Sequence, residues 1–140
     1  MPNQDGKTPA KGLFDDANII FSYSRAQAIE DGALIDVSET AREAGFKFPV
    51  AMTSESFGLC VVVPEGVSCQ DEKGRLWDVL HMLHHAIKTG KGAEQVDYSL
   101  LVNNHGGDLD EQRDTVHLKA LCGPGDDAAP VITIMMPWED

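Results

Sequence analysis

Leu76, Leu80, Leu83 and Ile87 recur at spacings of four, three and four, with Val79 and Ala86 beside them. That period lays one apolar stripe along a helix and predicts a helix from Gly74 or Arg75 to Lys88, ended by Thr89-Gly90-Lys91-Gly92. A long helix with one apolar stripe must bury it against another layer. The chain that follows supplies the layer. Val96–Val102 alternates weakly and Thr115–Leu121 alternates apolar with polar, the pattern of a half-buried antiparallel strand. Val131–Met136 is more uniformly apolar and belongs nearer the centre of a sheet. Asn103–Asp108 and Gly123–Pro130 read as the connecting turns. The expected fold is therefore α+β: a small, mainly antiparallel sheet formed by a C-terminal meander, crossed by one long amphipathic helix.

The N-terminal half is more finely punctuated. Residues 1–17 are rich in Lys, Gly, Pro and Asp and are expected to form a flexible leader. Residues 18–140 are expected to form a single globular domain, near the commonest domain size. Asn18–Phe21 reads as a short strand. Ser22 or Ser24 caps a short helix through Asp31, which Gly32 ends in a left-handed conformation. Ala33–Val37 is a second short strand. Ser38 caps Glu39–Ala44, with Glu39 at the positive end and Gly45 as the stop. Pro49–Thr53 is extended, and Leu59–Val63 is a strand ended by Pro64.

Three cysteines without CxxC spacing, Cys60, Cys69 and Cys122, fit reduced thiols better than a disulfide framework. No apolar run approaches the ~20 residues of a membrane span. The first residues lack the hydrophobic stretch of a secretory signal, so a cytoplasmic protein is expected.

The charge is strongly one-sided. The chain carries 23 Asp and Glu against 11 Lys and Arg, a formal net charge of −12 over 140 residues. Residues 1–93 hold 13 acidic against 9 basic side chains, whereas residues 94–140 hold 10 against 2, Arg113 and Lys119. Such a surface repels phosphate backbones and attracts basic protein grooves. It argues against direct nucleic-acid binding and leaves open a partner that itself binds nucleic acid. The residues proposed to meet that partner are Asp108, Asp110, Glu111, Asp114, Asp126, Asp127, Glu139 and Asp140. Trp138, near the chain end, is a candidate exposed contact, whereas Trp77 is expected to sit partly against the sheet.

The alternative chemistry lies on the long helix. His81 and His85 are four apart and share a face, with Asp78 one turn earlier. Two imidazoles and a carboxylate suit zinc, nickel or non-haem iron with coordination positions left open. No Glu directly follows the first His, so the metalloprotease pattern is absent. A solvent-facing histidine stripe is the simpler account, and no cofactor is required by the sequence. Asp108-Leu109-Asp110-Glu111, with Asp114, loosely resembles a calcium loop but lacks the central Gly and the closing Glu. Gly123–Asp127 has the glycines of a phosphate cradle but no Lys, and reads as a hairpin. Ser22–Arg25 has no placed base and reads as a capped turn. Arg25, Arg42 and Arg75 are expected to pair with Glu30, Glu39 or Asp36.

Ile20–Gly32, running on through Asp36–Phe46, resembles the opening of a family of small uncharacterised bacterial proteins carried on plasmids, integrative elements and prophages. Arg75-Leu76-Trp77-Asp78-Val79-Leu80, Leu118–Asp127 and Pro130–Met135 match the same pattern. Residues 54–69 and the histidines after Asp78 depart from it. The resemblance implies a mobile-element setting and no known activity. Together with the charge it favours a non-enzymatic interaction protein that binds a host or element-encoded protein. A nucleic-acid mimic acting on a defence protein is the sharpest form of that expectation. The metal-binding helix is the alternative, and oligomeric state is left open: an exposed last strand would allow pairing with a second copy.

Overall fold

The computed structural model describes residues 24–67, 70–90, 94–104 and 113–139. The expected leader over residues 1–17 and the strand at Asn18–Phe21 lie outside them. In chain order the elements are α1 (Arg25–Asp31), β1 (Leu34–Asp36), α2 (Ser38–Glu43), β2 (Val50–Thr53), α3 (Ser54–Cys60), α4 (Glu72–Gly90), β3 (Gln95–Asn103), β4 (Arg113–Pro124) and β5 (Pro130–Met135).

The strands form one open sheet in the order β1-β2-β5-β4-β3. The meander is as expected: β3 pairs antiparallel with β4, Tyr98 opposite Leu118, and β4 antiparallel with β5, Ala120 opposite Ile134. On its other side β5 runs parallel to β2, with Val50 opposite Ile132 and Met52 opposite Ile134. The last strand is thus the centre of the sheet, flanked on both sides. It is not available to pair with a second copy, which corrects that expectation.

Alternate side chains of the strands enter one core: Tyr98, Leu100 and Val102 from β3, Leu118 from β4, Ile132 and Ile134 from β5. The helix α4 closes that face with Leu76, Val79, Leu80 and Leu83, the last three fully buried. It is one turn longer than the apolar stripe indicates. Asp71 extends its start, where the carboxylate accepts the Gly74 N–H at 2.6 Å.

Capping explains most of the short elements. Ser24 Oγ accepts the Gln27 N–H at 3.0 Å at the start of α1, and Gly32, at φ 85°, ends it in the left-handed region where a side chain would be strained. Ser38 behaves differently from expectation. It lies inside α2, whose N-cap position is Val37. Its hydroxyl accepts the Val50 N–H at 3.0 Å, tying α2 to β2, and its own N–H donates to Asp36 Oδ1. Asp36 therefore supplies the oxygen that Ser38 was expected to supply.

The expected strand at Leu59–Val63 is instead the end of α3 and the turn beyond it. A short apolar run fits a buried helix end as well as a strand. Here Thr53 decides: its hydroxyl accepts the Ser56 N–H and starts a helix directly after β2. Ser56, fully buried, donates its hydroxyl proton to Thr53 O at 2.9 Å, and Cys60 and Val61 then enter the core.

Candidate functional site

Of the eight acidic residues singled out by charge, Asp108, Asp110, Glu111 and Asp140 lie outside the described residues. Asp114 and Asp127 are exposed, and Asp127 accepts the Ala129 N–H at 3.2 Å within its own turn. Asp126 and Glu139 have structural partners. The Asp126 carboxylate accepts the backbone N–H groups of Arg25 and Ala26 at 2.8 and 3.0 Å, across a sequence separation of a hundred residues. It thereby caps α1 from the β4–β5 turn. Glu139 Oε1 accepts from the Thr53 hydroxyl at 2.7 Å and from the Met136 N–H at 2.8 Å, which fastens the chain end to the start of α3. Both residues line a cavity of about 590 Å³ together with Arg25, Thr133 and Met135.

The two N–H donors from Arg25 and Ala26 hold the Asp126 carboxyl below the usual carboxylate range. A folded-state value below the unfolded one adds stability that is fully present above the ordinary Asp value, about 3.9, and is lost as the pH falls through the folded value. Thermal unfolding of Asp126→Asn should therefore start below wild type at neutral pH. The difference should shrink on acidification below about pH 4. A constant difference down to pH 2 would show that the charge of Asp126 contributes nothing.

On α4 the three histidines separate. His84 sets its ring edge-on to Phe46, centroids 5.6 Å apart and planes at 89°, and is part of the packing. His81 and His85 are exposed, as is Asp78. Asp78 and His81 border the groove described below, but His85 does not. Among the described residues no group of three or more His, Cys, Asp or Glu is placed to hold a metal ion. Asp78, His81 and His85 do not make the metal-binding set that their spacing suggested, since sharing a helical face does not by itself bring three donors onto one point.

A concavity of about 1110 Å³ runs between α4 and β3. Its helix wall is Asp71, Gly74, Arg75, Asp78, His81 and Met82, one face at helical spacing; its strand wall is Ser99–Asn103. Arg75, only 6% exposed, lies at its floor. Its Nε donates to Cys60 O (3.0 Å), Nη1 to Gln70 Oε1 (3.1 Å) and Asn103 O (3.0 Å), and Nη2 to Leu59 O (3.2 Å) and Asn104 Oδ1 (2.6 Å). Those five bonds satisfy all five donors of a guanidinium.

Arg75 does not pair with Glu30, Glu39 or Asp36, and Arg25 feels the charge of Asp36 without a direct hydrogen bond to it among the described residues. Arg25 donates to Thr133 Oγ1 at 2.6 Å and Ile132 O at 2.8 Å. Burial pushes the Cys60 thiol up to about 11, so it stays protonated and unreactive at neutral pH. Trp77 is half-buried as expected, and Trp138 is exposed at 67%.

A family model described as a family of unknown function, DUF6573, matches residues 10–140. No curated protein and no solved structure matches the chain. No helix among the described residues is long and apolar enough to cross a membrane.

Proposed function

We propose that this chain, which belongs to the DUF6573 family of unknown function, is a non-enzymatic, acidic interaction module of a mobile element. In this reading it works in the cytoplasm and binds a host or element-encoded protein that carries a basic, nucleic-acid-binding surface. The supporting observation is where the charge falls on the fold. The third of the chain with 10 acidic and 2 basic side chains, residues 94–140, forms β3, β4 and β5 and their connections. Meanwhile Arg25 and Arg75 turn their guanidinium groups inward onto hydroxyl, amide and carbonyl oxygens. Among the described residues the exposed cations Arg42, Lys47, Lys73 and Lys88 all lie outside residues 94–140, so that third of the chain carries its carboxylates with few cations among them.

Carboxylates so spaced gain from Lys and Arg the attraction that phosphates gain, which is the physical basis of nucleic-acid mimicry. Direct binding of DNA or RNA would meet the same field as repulsion.

The test is capture of host proteins on the untagged chain at about 0.05 M and about 0.5 M salt, where exposed charge pairs are weakly and strongly screened. The wild type is compared with the triple variant Asp108→Asn, Asp110→Asn, Glu111→Gln. A basic nucleic-acid-binding protein should be retained at low salt, released at high salt, and lost by the triple variant at unchanged thermal stability. Equal capture by wild type and variant would make these carboxylates a merely solvated surface and overturn their role.

A further inference from the structure

The strand β3 closes one side of the sheet: among the described residues it has β4 on one flank and no strand on the other. In an antiparallel ladder only alternate residues point their N–H and C=O toward a given neighbour. Among the described residues, roughly half of the backbone donors and acceptors of residues 95–102 therefore face away from β4, toward the groove side where another strand could pair. The Asn103 carbonyl, by contrast, is taken by Arg75 and Gln70. The helix α4 runs alongside, and the groove of about 1110 Å³ lies between the two. An open strand edge beside a helix wall is the arrangement in which proteins take up an extended peptide as an added strand.

The walls select the peptide. Met82 and Leu101 offer apolar surface, exposed at 38% and 54%. Asp71 and Asp78 line the helix side, and Asp97 is exposed farther along the strand. Arg75, the one Lys or Arg among the described lining residues, is engaged through all five donors and leaves none for an incoming carboxylate or phosphate. The groove therefore combines negative charge, two apolar contacts and unpaired backbone. A second copy of this chain is a poor occupant, since each copy carries −12 and each edge its own Asp97.

We infer that the β3–α4 groove binds an extended segment of the partner protein, in which Lys or Arg alternates with apolar residues, as a sixth strand added to β3. The inference rests on the reading of the chain as an acidic interaction module and specifies how that module holds its partner. The added strand would lay its apolar side chains on the Leu101 face of the sheet and its cations on the α4 face, toward Asp71 and Asp78, with Met82 against the stems of those cations.

The probe is a short capped peptide alternating lysine and valine, paired with the same peptide N-methylated at alternate backbone positions. The two share charge and side chains but not backbone donors. The unmodified peptide should bind at least tenfold more tightly and slow amide exchange within residues 95–103. Leu101→Glu and Asp78→Asn, both surface changes, should each weaken it at an unaltered thermal midpoint. Equal, salt-sensitive binding of both peptides would overturn strand addition while the acidic-module reading stands. Failure of both peptides, with the salt-released partner still captured by the whole chain, would move the docking surface elsewhere and likewise overturn the inference. Failure of both peptides and of capture would remove the module reading as well.

Discussion

Replacing Arg75 by alanine is expected to lower the free energy of unfolding by about 3–4 kcal/mol, a large part of the 5–15 kcal/mol that holds a typical domain together. The side chain is 6% exposed and ties three segments together, two of them distant from it in sequence. These are the end of α3 through Leu59 and Cys60, the end of β3 through Asn103 and Asn104, and Gln70 ahead of α4. Two of its acceptors have a second donor: Leu59 O also receives Asn104 Nδ2 at 2.9 Å, and Asn103 O also receives Gln70 Nε2 at 3.2 Å. The carbonyl of Cys60, by contrast, loses the bond that Arg75 Nε makes to it, and a buried acceptor left unmatched costs about 1–3 kcal/mol.

Lysine should recover little of this, because an ammonium has three donors and cannot reproduce the planar fork. Methionine keeps the apolar stem and removes the cost of burying a charge, so it should fall between alanine and wild type. Denaturant unfolding midpoints give the order. Hydrogen exchange should show the loosening concentrated at residues 59–60 and 103–104 rather than spread through the sheet. Wild-type stability in the methionine variant would mean that the guanidinium network adds nothing beyond packing.

The contrast between Arg75 and its neighbours on α4 shows which parts of this fold were legible. Leu76, Leu80 and Leu83 announce themselves because burial against a sheet imposes a 3.6-residue period that residue type alone reveals. The meander is legible for the same reason, at period two. Arg75 is not, because its partners are mostly backbone carbonyls and amides, which every residue type carries. A basic residue in a helix next to a Leu stripe looks the same whether it ends in water or in a ring of carbonyl oxygens. The Asp126 cap is hidden by distance: a carboxylate in a glycine-rich turn reads as solvated until the fold brings the start of α1 to it. The parallel pairing of β2 with β5 depends on a long connection that no local pattern encodes. The acidic bias, by contrast, is visible directly, and the fold adds that the strands of that third, β3, β4 and β5, are consecutive neighbours in the sheet.

Truncating Leu83 to alanine should cost about 3 kcal/mol and lower the thermal midpoint by roughly 10 °C, since burial of a leucine side chain is lost and the cavity closes only in part. Leu83 has no exposed surface and shares the core with Val79, Leu80 and Leu118. The neighbouring residues give a graded series on one turn of helix. His84 is half-buried and meets Phe46 in a T-shaped ring contact, worth about 0.5–1.5 kcal/mol. His85 is exposed, and its removal should change stability by less than about 0.5 kcal/mol. The order Leu83→Ala, His84→Ala, His85→Ala in decreasing effect follows from packing alone. Chelator treatment should leave all three midpoints unmoved if packing is the whole account. A large loss in His85→Ala, or a fall in the wild-type midpoint on metal removal, would give the histidine face of α4 a stabilising ligand that its exposed geometry does not supply, and would return the metal-binding alternative to the front.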